Sequence, residues 1–326
     1  MTDRIPLIDS FIERAGWLEA ARHPMPGDLS VRRYVRLTKP TGETAMLMDA
    51  PPETDASMPE FLRMTNWLRA AGLAAPSILA TDTHSGMLLL EDLGDQKVSD
   101  IASTDPDLRN KIYGVALDIL VHIRAQDHAA LWRPNASELV KATLLTDEFY
   151  PGIQPVALSG LRRILEAMLT DFLGGAVCVS LRDFHADNLM WLPDRAGLKQ
   201  LGLLDYQDAF LTHPVYDLVS LLTDARIDID PGFRRQEIAL YATKTGDDPD
   251  KLGLAFAAFS VQRNLRILGI FTRAARQFGK SRHLPKLSRV HGYLSEALRH
   301  PAFASVADEA LAAVPRPTQD MIEALT

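Results

Sequence analysis

The chain has 326 residues, 47% of them hydrophobic, enough for one large domain or two lobes with a sizeable core. Its formal net charge of -7 argues against a nucleic-acid binder, while leaving room for a local basic spot that holds a phosphorylated ligand. The one cysteine, Cys178, excludes an intramolecular disulfide and a cysteine-rich zinc site, and within Val177-Cys178-Val179 it reads as a small core residue.

The N-terminus carries Asp3, Arg4, Asp9, Glu13 and Arg14 instead of an apolar signal core, and no stretch of about 18 apolar residues is free of charge. A soluble, cytoplasmic protein with no membrane partner is expected. Ile5, Ile8, Ile12 and Ala15 fall at helical spacing, which predicts a helix in 5–21 that ends at Gly16 or shortly after. The turn-rich Pro26-Gly27-Asp28-Leu29-Ser30 leads into a strand at 31–37, where Val31, Val35 and Leu37 share one face. A turn at Lys39-Pro40-Thr41-Gly42 returns the chain along Ala45-Met46-Leu47-Met48, and Pro51-Pro52 ends that strand. Phe61, Met64, Leu68 and Ala71 predict a helix over 58–71 closed by Gly72, followed by strands at 78–80 and 87–90. The first part of the chain is therefore strand-rich, and a polar break at Glu91-Asp92-Leu93-Gly94-Asp95 marks its end.

Behind that break the chain turns helical. Asp105 caps and Pro106 opens a helix to about 125, 134–155 is irregular with a short helical piece, and Ser159 is expected to cap a helix ending at Gly174-Gly175. A strand at 177–181, an acidic loop, short strands at 189–192 and 200–204, and helices through 215–326 complete the reading. The division is α+β, with a small strand-rich lobe over 1–91 and a larger helical lobe over 92–326.

The chemistry concentrates in Leu181-Arg182-Asp183-Phe184-His185-Ala186-Asp187-Asn188 and in Leu203-Leu204-Asp205-Tyr206-Gln207-Asp208. Taken alone, the first stretch is equally a surface turn, since Asp and Asn bond their local backbone there. The hairpin after it returns the chain to Asp205. One carboxylate for a proton, with an amide and a second carboxylate for a hard cation, is what phosphoryl transfer from a nucleotide requires.

Arg182-Asp183, with Asn188 five past the aspartate, resembles the catalytic loop of the protein-kinase-like superfamily. Asp205-Tyr206-Gln207-Asp208-Ala209 with Pro214 and Tyr216-Asp217-Leu218 resembles the aminoglycoside phosphotransferase and choline kinase family. Gly27-Asp28-Leu29-Ser30-Val31-Arg32-Arg33-Tyr34, Leu47-Met48-Asp49-Ala50-Pro51-Pro52, Leu89 to Asp95 and Gln262-Arg263-Asn264-Leu265 are similar to the bacterial anomeric sugar kinases of cell-wall recycling, which act on N-acetylmuramate and N-acetylglucosamine. The resemblance spans about 5–300 and implies a two-lobe fold, ATP as co-substrate, Mg²⁺ and an amino-sugar acceptor. It gives Asp183 the acceptor hydroxyl and gives Asn188 and Asp205 the magnesium. Gly27 and Ser30 would cover the nucleotide's phosphates, and Glu91 and Leu93 would meet its base through the backbone; beside the phosphate loop, Arg32 or Arg33 is the candidate to supply a charge on the phosphates, the alternative being that both are solvated strand residues. His185, Asp208, Glu148 and Arg263 would line the acceptor pocket, His185 alternatively bracing the loop, and the guanidinium of Arg263 or Arg266 would suit the lactyl carboxylate of N-acetylmuramate. Arg266, three residues on, shares a helix face with Arg263. Tyr150 would offer an aromatic face to the sugar or pack between elements.

Two departures from the pattern matter. Leu181 stands where the superfamily has histidine, and the strand at 45–48 lacks the lysine that holds the α- and β-phosphates. The missing lysine keeps open a nucleotide-binding pseudokinase. A different small hydroxyl acceptor (an aminoglycoside, a choline-like or a homoserine-like compound) is the other alternative. Oligomeric state is not legible.

Overall fold

The computed structural model describes residues 4–26, 32–127 and 130–325. The chain divides into two compact units, Met1–Gln96 with Leu189–Asp208, and Lys97–Asn188 with Ala209–Thr326. The expected division was a single cut at 91/92; here the first unit also takes in the hairpin that follows Asn188.

In the first unit, α1 (Ile5–Arg14) precedes β1 (Ala21–Pro24), β2 (Arg33–Thr38) and β3 (Thr44–Asp49). Then come α2 (Met58–Ala70), β4 (Ile78–Asp82) and β5 (Met87–Glu91). The sheet is antiparallel in the order β1-β2-β3-β5-β4. The helix expected within 5–21 stops at Arg14, because Gly16 at φ +75° reverses the chain and frees 21–24 to pair with β2. A helix of ten residues is marginal alone. Its stability comes from docking Phe11 and Ile12, with Trp17, against Leu37, Ala45, Leu47, Met87 and Leu89. Period-two alternation puts those sheet residues on one face and leaves Tyr34, Arg36, Met46, Met48, Leu88 and Leu90 on the other. The hairpin Leu189–Trp191/Leu201–Leu203 completes this unit, with Ala74 bridged to Gly202.

The second unit is mostly helical: α3 (Val98–Ala102), α4 (Pro106–Arg124), α5 (Ala136–Lys141), α6 (Leu144–Phe149), α7 (Ser159–Gly174), α8 (Val215–Leu222), α9 (Pro231–Thr245) and the 30-residue α10 (Pro249–Phe278). Asp105 caps α4 as expected, accepting from the Leu108 N–H. Ser159 is not a cap: a 3-10 turn over Pro155–Leu158 runs straight into α7, so Ser159 is already its first residue. The irregular 134–155 contains two helices, the first opened by a capping box between Asn135 and Glu138. Cys178 is buried, and its thiol is pushed up to about 12 by burial, which leaves it inert.

The core of the second unit is α10. Every residue from 257 to 265 is buried. Gly269 lets α6 approach, since a Cβ there would stand 2.5 Å from the Leu145 carbonyl carbon and the Thr146 nitrogen. Thr146 Oγ1 also donates to the Leu265 carbonyl. Among the described residues no helix is long and apolar enough to cross a membrane.

Candidate active site

The loop 181–188 leaves the strand Cys178–Ser180, which pairs with Phe210–Thr212, and ends in a 3-10 turn at Ala186–Asn188. Asp217, in the first turn of α8 and buried, grips its start. The carboxylate accepts from Ser180 Oγ (2.7 Å), the Leu181 N–H (2.6 Å) and the Arg182 N–H (3.1 Å). Leu181, at the expected histidine position, is buried and contributes its backbone N–H to that grip. Asp224 grips the other end, accepting from the Ala186 N–H at 3.0 Å, and Arg226 ties Asp224 to Asp187, 2.7 Å from its Nε.

Arg182 sits at φ +70°. A non-glycine residue there costs about 1–2 kcal/mol, so surrounding bonds must hold it. They come from Asp217 below and from Arg263, whose Nη1 donates to the Arg182 carbonyl at 2.8 Å. The other arm of Arg263, Nη2, reaches Asp183 Oδ1 at 3.1 Å. Arg263 is buried, lies over the Tyr216 ring at 5.4 Å, and has both arms committed. The sequence placed Arg263 on the acceptor; the structure spends it on the loop and on Asp183.

Asp183 is 34% exposed at its side chain. Burial opposes its charge, but Arg263 and then the nearby Arg266 and Arg182 outweigh it and hold the carboxyl well below the usual carboxylate range. Asn188 Nδ2 donates to the Asp183 carbonyl at 2.9 Å, which turns the amide oxygen away from that bond. His185 is buried, and burial lowers it to about 4, so it is neutral at pH 7. Its Nε2 lies 3.5 Å from Asn188 Nδ2, while Nδ1 has no hydrogen-bond partner among the described residues. His185 thus packs inside the loop and braces it, one of the two roles that the sequence left open to it.

Burial raises Asp217 to about 6 against the donors that face it. A raised carboxyl holds its proton longer in the folded state, so the stability it contributes declines as the pH rises from about 4 to about 6. Asp183 has the opposite sign: its contribution is present above the ordinary carboxylate pKa and lost as the pH falls below it. A proton on Asp217 replaces an acceptor with a donor facing the Leu181 and Arg182 N–H groups. The kcat profile should therefore fall on acidification with an apparent pKa near 6 carried by Asp217. A steady-state profile flat from pH 5 to 8 would refute that assignment.

In the first unit, Leu189 pairs with Leu203, so the open end of the hairpin is where the chain enters from Asn188 and leaves through Leu204 to Asp205. Asp205 sits at φ +59°; with Arg182 it is one of two non-glycine residues at positive φ among those described. Its exposed carboxylate accepts from Gln207 Nε2 at 2.7 Å. Next to it, Tyr206 is buried, stacks on Phe61 at 5.3 Å and shares a 2.7 Å hydrogen bond with Thr65 Oγ1, which pins the segment to α2. Both Asn188 and Asp205 carry hard oxygen donors, the type that magnesium takes. Among the described residues no group of three or more His, Cys, Asp and Glu could hold a metal ion.

The remaining expected contacts divide. Gly27 and Ser30 lie outside the described residues. Arg32 is buried, with Nε on Asp55 (2.6 Å) and Nη2 on Ser57 Oγ, so it ties the start of β2 to the segment before α2 instead of offering its charge to a phosphate. Arg33 is exposed and shares parity with Val35 and Leu37, on the α1 side of the sheet. Glu91 accepts from the Ser77 N–H and Oγ (both 2.9 Å) and from Arg195, which holds its side chain in place and leaves only backbone groups to meet a base. Leu93 is buried against Gly202, where a Cβ would come within 2.7 Å of Leu93 Cδ1. Arg36, which sequence reasoning passed over, anchors that segment through Asp92 (2.7 Å), Asp95 (2.7 Å) and the Gly94 carbonyl. Its signal was available, since Arg32, Tyr34 and Arg36 share one strand face. Asp208 and Glu148 are exposed, and Tyr150 is buried with its hydroxyl on the Pro315 carbonyl (2.7 Å), which removes it as a sugar platform.

The profile of a phosphotransferase enzyme family (APH) matches residues 22–254. An N-acetylmuramate/N-acetylglucosamine kinase of Caulobacter vibrioides is 31% identical over 91% of this chain and 93% of its own. A Pseudomonas aeruginosa protein of the same name is 29% identical over 92% of this chain and 91% of its own. The fold is that of a choline/ethanolamine kinase family protein from Mesorhizobium loti, with a TM-score of 0.65 at 12% identity over 95% of this chain and 97% of that one.

Proposed function

Because the chain belongs to the phosphotransferase enzyme family and is a small-molecule kinase, we propose that it transfers the γ-phosphoryl group of ATP to the anomeric hydroxyl of N-acetylmuramate, N-acetylglucosamine or both, in the recycling of cell-wall sugars. The observation that carries this reading is the end-to-end similarity to relatives of that name, 31% and 29% identical over nine-tenths of the chain. The loop chemistry agrees with it. A carboxylate held well below its usual range is a weak base, so Asp183 acts by fixing the acceptor oxygen in line and taking its proton late. The anomeric hydroxyl of a reducing sugar is a stronger acid than an ordinary alcohol, and so asks less of that base.

Asn188 and Asp205 would hold the magnesium. When bound, the ion supplies charge neutralisation across the nucleotide's phosphate oxygens. Asp217, Asp224 and Arg263 keep the loop in the shape that presents Asp183. The test is ADP release coupled to a sugar panel, with phosphorus NMR of the product. Turnover of N-acetylmuramate or N-acetylglucosamine to a 1-phosphate is expected. Turnover confined to an aminoglycoside, choline or homoserine, or ADP release with no acceptor at all, would overturn the assignment.

A further inference from the structure

Arg266 lies on α10 one turn beyond Arg263, and residues three apart share a helix face. That face changes character at Arg266. From 257 to 265 the helix is buried, and beyond it Arg266, Ile267, Ile270 and Arg273 form a partly buried stripe at spacings of one, four and seven. Arg266 is therefore where the buried arginine layer under Asp183 meets solvent.

Its guanidinium differs from its neighbour's. Arg263 has a carbonyl, a hydroxyl and a carboxylate within reach. Arg266 makes no hydrogen bond or ion pair among the described residues, although it interacts electrostatically with Tyr216, Arg182, Asp183 and Arg263. Burial and the like charges of Arg182 and Arg263 lower its pKa, and the group stays charged. The carboxylates within this group are Asp183, already paired to Arg263, and Asp217, which accepts from Ser180, Leu181 and Arg182. Both of these carboxylates are committed, and Arg266 bonds to neither.

An uncommitted guanidinium at the solvent edge of such a site suits a planar, bidentate oxyanion. Two oxyanions reach a kinase acceptor site: the transferring phosphoryl group and an anionic group on the acceptor. N-acetylmuramate differs from N-acetylglucosamine by a lactyl ether that ends in a carboxylate. We propose that Arg266 is the specificity-determining residue for the acceptor, binding the carboxylate of N-acetylmuramate and setting the preference between the two sugars. This rests on the sugar-kinase reading above. Of the two arginines that share this helix face, it assigns the carboxylate to Arg266, because Arg263 is committed to the loop and to Asp183.

The experiment measures kcat/KM for both sugars in the wild-type protein and in Arg266→Gln, Arg266→Ala and Arg266→Lys. A charge-assisted hydrogen bond lost to an anionic ligand corresponds to about 10- to 100-fold. Arg266→Gln and Arg266→Ala should lower kcat/KM for N-acetylmuramate by that factor relative to N-acetylglucosamine, mainly through KM. Arg266→Lys should recover part of the difference. N-acetylmuramate with its carboxyl amidated should be discriminated against by the wild type and not by Arg266→Gln. Equal losses on both sugars would overturn the proposal and place the guanidinium on the transferring phosphoryl group. A wild type that uses N-acetylglucosamine but not N-acetylmuramate would overturn it while leaving the sugar-kinase reading intact. A wild type that uses neither sugar would bring down both.

Discussion

Replacement of Asp183 by asparagine lowers kcat for the preferred sugar by about 10²- to 10⁴-fold, the range for loss of a positioned proton acceptor. The substitution is nearly isosteric. It keeps an oxygen to accept from Arg263 Nη2, and the backbone bonds from Asn188 and His185 to the Asp183 carbonyl do not involve the changed atoms. Folding should survive, and nucleotide affinity measured by calorimetry should change little. The decisive contrast is between turnover and binding in the same preparation. An Asp183→Asn protein that turns over at more than a tenth of the wild-type rate would remove Asp183 from the reaction.

The second large effect is expected at Arg263. Its side chain is 4% exposed, so Arg263→Ala deletes three hydrogen bonds, the cover over Tyr216 and the cation that holds Asp183 ionised. Truncating one partner of a fully buried pair costs about 3–5 kcal/mol; water reaches Asp183, so about 1–3 kcal/mol is expected here. Urea unfolding gives that figure. Kinetics should show a larger fall in kcat than rise in KM, because the loop is misplaced before the acceptor is lost. The acid limb should also gain a component as Asp183 moves up toward the ordinary carboxylate range. Arg263→Lys should restore part of the stability and little of the turnover, since an ammonium cannot span the Arg182 carbonyl and Asp183 together. An Arg263→Ala protein with wild-type stability and turnover would refute the support role.

Much of this was legible in the sequence, for identifiable reasons. Periodicity located α2, α4, α10 and the strands β2 to β5, because each buries one face and its apolar spacing records that face, whereas β1, exposed along its length, left no such record. Asp183, Asn188 and Asp205 were legible because two short motifs fix their spacing. What holds them was harder to read. Asp224 ends an apolar run and Arg263 sits inside a helical one, and nothing local marks a charged side chain as turned inward to meet a backbone 38 or 81 residues away. The pairing of Arg32 with Asp55 spans 23 residues and is likewise a product of folding, so a strand arginine beside a glycine turn looked like a phosphate ligand. The strands expected at 189–192 and 200–204 form, as Leu189–Trp191 and Leu201–Leu203. The membership of that hairpin in the first unit depends on contacts such as Ala74 with Gly202, which no spacing rule predicts.

The left-handed backbone at Arg182 has a consequence for which residues the position tolerates. At φ +70° glycine is the least strained occupant, and on backbone grounds alone it would stabilise the loop by about 1 kcal/mol. Random substitution under selection for stability alone would therefore drift toward glycine, or toward asparagine as the next best. An arginine held there against that gradient is a sign that its charge is worth more to the protein than the strain. At this position a stability screen and an activity screen should rank the same substitutions in opposite order.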